Sequence, residues 1–184
     1  MLSAIQMKTT LLLCSFLVAT VLLMDNPKKE CCSHFLKGEL TEIEGYIAFR
    51  DSLNPAVSKV EVAWHLDHSL RTINEIHKAV KKSNPENYKG RINLGRTLLL
   101  LINKIPRGRA ESPKIVTPPE VIHTDSLYGQ LALARKNLTA YDSLPKKAFF
   151  EHPYLGIMDR NTSKKFLEIH TEHHLKIIRD ILKK

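Results

Sequence analysis

Two histidines occupy the middle of an apolar helical stripe near the end of the chain. The segment Phe166-Leu167-Glu168-Ile169-His170-Thr171-Glu172-His173-His174-Leu175-Lys176-Ile177-Ile178 reads as an amphipathic helix whose buried face is Phe166, Leu167, Ile177, Ile178 and Ile181. At about 100° per residue, His170 and His174 fall inside that face. An imidazole moved out of water costs free energy unless its nitrogens find partners. A divalent metal satisfies two rings one helical turn apart, as in many zinc sites. The residue pattern excludes zincin proteolysis. That chemistry needs Glu directly after the first His, or directly before the last in the inverted motif, whereas Glu172 occupies neither position.

A metal that does chemistry wants at least one further protein ligand and an open position. The segment Val62-Ala63-Trp64-His65-Leu66-Asp67-His68 offers two histidines. With Val62, Leu66, Ile73, Ile76 and Val80 as the core stripe, His65 lies on its flank beside Ser69 and Ile76. His68 falls about 130° from the stripe's centre, with Glu61, Arg71, Glu75 and Lys82. His65 is therefore expected to face inward and complete a His65, His170, His174 ligand set. His68 is expected at the surface or behind a ligand, and is held in reserve. His173 is expected at the edge of its stripe, against another helix.

The elements that must position these residues are helical. Helices are expected from about His34 to Arg50, ending at Asn54-Pro55, and from Ser58 to about Lys82. Ser58-Lys59-Val60-Glu61 has the form of a capping box for the second. A third is expected from Thr124, with Leu127, Leu131, Ala134, Leu138 and Tyr141 inward, and a fourth from about Thr162 to Leu182. The connection between the second and third holds one short apolar helix, Thr97 to Ile105, and an extended run, Pro113 to Pro119, whose three prolines oppose helix. The stretch Leu144 to Asn161 reads as a loop. The expected fold is all-α: a four-helix bundle with a long crossover between helices 2 and 3, plus an N-terminal hydrophobic anchor helix. Seven glycines in 184 residues and recurring helical periods make an all-β sandwich a poor fit.

The N-terminus follows a different logic. Leu11 to Met24 is an uncharged 14-residue run with Lys8 before it and Lys28-Lys29 after it. This is the pattern of a signal anchor or signal peptide over residues 1–27, ahead of a helical domain over 28–184. It is shorter than the roughly 20 apolar residues of a full span, and no small-x-small cleavage site follows it. The expected state is a single-pass membrane anchor, with secretion or periplasmic release after cleavage as the alternative. Cys14 lies in the apolar run and Cys31 and Cys32 follow it; all three precede the globular part, so no disulfide framework or zinc knuckle supports its core.

Net charge is +9, with seven cations between Lys89 and Lys114 against Glu111 alone. Nucleic-acid binding is not expected, because only Tyr88 offers a stacking aromatic nearby and no helix-turn-helix, finger or RNA-binding motif occurs. A solvated or lipid-facing surface is the expected role of the patch, which contains Arg107 and Arg109.

The inward His65 seven residues after Ser58, the terminal His170-x-x-x-His174, and His152-Pro153-Tyr154-Leu155-Gly156 ahead of the histidine helix resemble the DinB-like metal-binding four-helix-bundle superfamily. The likeness is to a bacterial branch of it and covers about Glu39 to Leu182. The resemblance implies three histidines holding a divalent zinc, nickel or iron with open coordination. It also implies a small-molecule substrate, through thiol transferase or hydrolase chemistry. One departure is that many such chains carry Trp just ahead of the second helix, where this one has Val57, with Trp64 beside the expected ligand. That departure keeps His68 open as the replacement for His65. A catalytic base is not readable, so enzyme activity stays open; a homodimer is compatible with the sequence. The alternative is a non-enzymatic helical module that binds an acidic partner or a lipid surface through its basic crossover.

Overall fold

The computed structural model describes residues 35–108 and 111–183, which belong to one compact unit, Ser33–Lys184. Among the described residues there are five α-helices and one hairpin: α1 Lys37–Tyr46, α2 Val62–Lys82, α3 Leu94–Ile102, α4 Thr124–Tyr141, β1 Phe149–His152, β2 Gly156–Asp159 and α5 Arg160–Leu182. No described helix is long and apolar enough to cross a membrane. The expected anchor over Leu11 to Met24 lies outside the described residues, as do the three cysteines.

The core is a single cluster drawn from α1, α2, α4 and α5, with Leu40, Ile43, Leu66, Leu70, Ile73, Leu131, Leu138, Leu167, Leu175 and Ile178 among its members. α2 lies against both α4 and α5, and α1 packs on all three. That central placement explains why α2 is buried on two sides: Ala63, His68, Leu70, Thr72, Asn74 and His77 are all inside, although none belongs to the stripe taken as its core face. Each large apolar side chain fully withdrawn from water contributes about 1.5–3 kcal/mol.

The expected helices are present, with shifted ends. α1 starts at Lys37 and closes in a 3₁₀ turn, Ile47–Phe49. α3 runs Leu94–Ile102, three residues earlier than expected, because Asn93 caps it by accepting from the Arg96 backbone N–H at 2.9 Å. The capping box at Ser58 does not form. α2 begins at Val62, and the Ser58 hydroxyl serves a different purpose described below. α4 begins at Thr124 as expected, but His123 holds its N-cap position. The proline run carries one 3₁₀ turn, Lys114–Val116.

The all-α expectation is corrected by the hairpin. Phe149 pairs with Asp159 and His152 with Gly156, inside the stretch expected to be a loop. His152 closes the turn by accepting the backbone N–H groups of Tyr154 and Leu155 on its Nδ1, at 3.1 and 3.2 Å. Gly156 enters β2 with φ +70, a conformation that costs other residues energy. Asp159 then caps α5 by accepting from Thr162 N–H at 2.7 Å.

Charge is also used internally. Arg179 on α5 forks onto Glu42 of α1, at 2.7 and 2.6 Å, and onto Glu172, at 2.9 and 3.2 Å. The Arg179 hydrogen bond is the main reason the Glu42 carboxyl is held below its usual range, and the two glutamates raise Arg179 in turn. Bidentate, partly buried pairs of this kind exceed ordinary surface bridges. Arg179→Met is expected to destabilise the protein by about 1–2 kcal/mol in urea melts, with α1 loosening first in hydrogen exchange. An unchanged midpoint would mean that the fork holds nothing.

Candidate metal centre

Four histidine rings from two helices meet beneath the crossover. His65 and His68 come from the first turns of α2, and His170 and His174 from the middle of α5. The Nε2 atoms of His68 and His170 are 3.2 Å apart, and the Nδ1 atoms of His65 and His174 are 3.1 Å apart. Ring centroids of His170 and His174 lie at 4.6 Å, and those of His68 and His174 at 4.8 Å.

Among the described residues, the set able to share one ion is His68, His170 and His174, whose three offered nitrogens all lie within 4.8 Å of one another. Tetrahedral coordination at ordinary zinc–nitrogen lengths separates ligand nitrogens by about 3.3 Å. The His68–His170 pair already has that spacing. The expectation that His68 lies at the surface or behind a ligand is thus corrected, and the residue held in reserve joins the group. It is 4% exposed, with Trp64 stacked on its face at 4.9 Å. His65 is inward as expected but stands behind His174, outside the three-residue group.

Hydrogen-bond logic fixes which ring nitrogens carry protons. The Val116 carbonyl, 2.9 Å from His68 Nδ1, can only accept, so His68 carries its proton on Nδ1 and presents a bare Nε2. The Ser58 hydroxyl directs its proton to the Val60 carbonyl at 2.9 Å, so it must accept from His65 Nε2–H at 3.0 Å. His65 Nδ1 is then bare and takes the proton of His174 Nδ1, which leaves His174 Nε2 bare. Two rings therefore offer a lone pair through the arrangement that orients metal-bound histidines elsewhere. His170 Nδ1 is buried with no partner. With His68 Nε2 bare, the proton between the two rings sits on His170 Nε2 in the metal-free state, which leaves His170 Nδ1 an unpartnered acceptor. Ligation through Nε2 moves that proton to Nδ1. The donor set fits a divalent ion of the zinc, nickel or iron type, since all three ligands are imidazoles.

Burial reinforces this. Desolvation is the largest cause lowering the pKa of all four rings: it pushes His65 down to about 4, lowers His68, and takes His170 and His174 well below the ordinary histidine value. The neighbouring histidines lower His170 and His174 further. Neutral imidazole, the form that binds metals, is thereby the resting form at neutral pH.

The crossover supplies the cover. Val116 sits on His68, and Ser112 Oγ lies 3.3 Å from the same Nδ1. His173, expected against another helix, instead has its ring against the Ile105 backbone of the crossover, and Arg107 pairs with Asp180 of α5 at 2.7 Å. His170 remains partly exposed and gives the cluster an outer side.

Two further polar features are buried in α2. Asp67 is fully buried, bound by Arg71 and by Gln130 of α4. Asn74 donates to the Gln130 carbonyl at 3.1 Å and accepts from Asn137 at 2.9 Å, which makes a polar seam between α2 and α4. Comparisons with protein-family models, curated proteins and solved structures returned no match to this chain.

Proposed function

We propose that this protein binds one divalent metal ion through His68, His170 and His174, with His65 holding His174 in its ligating tautomer. The observation that carries the reading is the set of three convergent imidazoles, two with their outer nitrogens already engaged. The four-histidine helical arrangement supports the resemblance to DinB-like bundles, with His68 in the place given to His65 by sequence. Three protein ligands leave room for water or a substrate. A metal held there would lower the pKa of a bound thiol or water, the chemistry of thiol transfer or hydrolysis. The chain's own part is to keep three imidazoles neutral, fix two tautomers, and roof the site with the crossover. Tethering to a membrane through Leu11 to Met24 belongs to the same proposal.

Elemental analysis of the purified protein tests it. About one zinc, nickel or iron per chain is expected in the wild type, and background levels in His170→Ala/His174→Ala. A metal-free wild type that takes up none on incubation with zinc, or a double variant that keeps full metal, contradicts it.

A further inference from the structure

α3 is amphipathic in the reverse sense. Its inner side is tied to the body: Leu99 packs on the core cluster, Asn93 donates to the Tyr154 carbonyl at 3.2 Å, and Arg96 donates to the Leu155 carbonyl at 3.2 Å and to Ile157. Its outer side carries Leu94, Leu98 and Leu101, 81%, 57% and 77% exposed, at the i, i+4, i+7 spacing of one face. Ile92, 90% exposed, extends the stripe, and Tyr154, 64% exposed, stands beside its start. Water-facing leucines in that register need a cover.

The charges around the stripe indicate what covers it. Lys89, Arg91 and Lys104 are exposed at the two ends of the helix, and no acidic residue lies between Glu86 and Glu111. An apolar stripe framed by cations and an aromatic is the composition of a helix that lies in a lipid headgroup layer. A protein partner of matching chemistry would need an acidic rim around an apolar groove, and a second copy meeting this stripe face to face would set Lys89, Arg91 and Lys104 against the same cations. We propose that α3 is an interfacial anchor that seats the outer face of the crossover on an anionic bilayer surface. Leu94, Leu98 and Leu101 enter the acyl boundary, and Lys89, Arg91 and Lys104 engage lipid phosphates.

The test uses the full chain with Cys14, Cys31 and Cys32 replaced by serine and a polarity-sensitive fluorophore on Leu98→Cys. A matched label at Leu133→Cys, on an exposed site of α4, serves as the control. Both are reconstituted with phosphatidylcholine vesicles, with or without phosphatidylserine, that carry a nitroxide on the acyl chain. In anionic vesicles the label at 98 is expected to shift to the blue and lose most of its emission to the nitroxide, while the label at 133 does neither. Lys89→Glu/Arg91→Glu/Lys104→Glu should abolish the quenching at 98, even where Leu11 to Met24 keeps the chain on the vesicle. Absence of quenching at 98, or equal quenching in neutral and anionic vesicles, overturns the assignment. A blue shift without quenching also overturns it: one that grows with the protein-to-lipid ratio assigns the stripe to a second copy, and one that does not assigns it to the chain itself.

Discussion

Replacing His68 by alanine is expected to weaken zinc binding by about a hundredfold or more, while His65→Ala weakens it by about 10- to 100-fold. The difference follows from position. His68 presents a bare Nε2 to the centre, whereas His65 touches only the outer nitrogen of His174 and the Ser58 hydroxyl. His65→Asn discriminates further, because its side-chain oxygen falls near the place of Nδ1 and can still accept from His174. It should recover part of the affinity that His65→Ala loses, and His68→Asn should recover little. Competition titrations against a chromophoric chelator give both numbers. If His65→Ala were the more damaging change and His68→Ala nearly silent, the ligand set expected from the sequence would be the correct one.

The metal-free protein is expected to lose stability steeply between pH 6.5 and pH 4.5. Each buried ring has a folded pKa below its unfolded value near 6.5, so above that pH both states are neutral and the contribution is full. As pH falls, the unfolded chain takes up protons that the folded site refuses, and stability drains until the folded pKa is reached. For His65 that lower limit is about 4, so at pH 5 this ring alone accounts for about 2 kcal/mol, or a melting point lower by about 4–8 °C. His170 and His174 add to it in the same direction. Glu42 also has a lowered pKa, but its contribution is present above the ordinary glutamate value and lost only below it, so it lies under this window. Thermal melts in chelator at pH 7.5 and pH 5 measure the effect. Equal melting points would mean that the rings are solvated and not held as a buried cluster. Bound metal should raise the midpoint at pH 7.5 and lose that advantage as protons compete for the ligands.

Much of this was legible in the chain. His170 and His174 in an apolar stripe pointed to the site, and the periods of α2, α4 and α5 gave the helices that carry it. The inward position of His68 departs from its wheel position for a physical reason. A single-stripe wheel assumes one wet face, but α2 is the central helix and is packed on two sides. The signal was present in its first turns, where Val62 to Leu70 contains only Asp67 as a charge. The cover over His68 comes from Val116, 48 residues away in a proline-rich run that no local pattern places there. Ser58 shows the same limit. Its spacing to Glu61 matched a capping box, yet tertiary contact gave the hydroxyl to Val60 and His65. The hairpin is not legible in the sequence because Phe149 to Asp159 has short strands and a turn closed by a side chain, His152.

The most direct measurement is an anomalous-difference map from crystals grown with zinc, recorded on both sides of the zinc edge. The account predicts one peak about 2.0–2.1 Å from the Nε2 atoms of His68, His170 and His174, with His65 still hydrogen-bonded to His174 and not in contact with the metal. A peak bound to His65 Nδ1, or no peak among the four rings in zinc-loaded crystals, would contradict it.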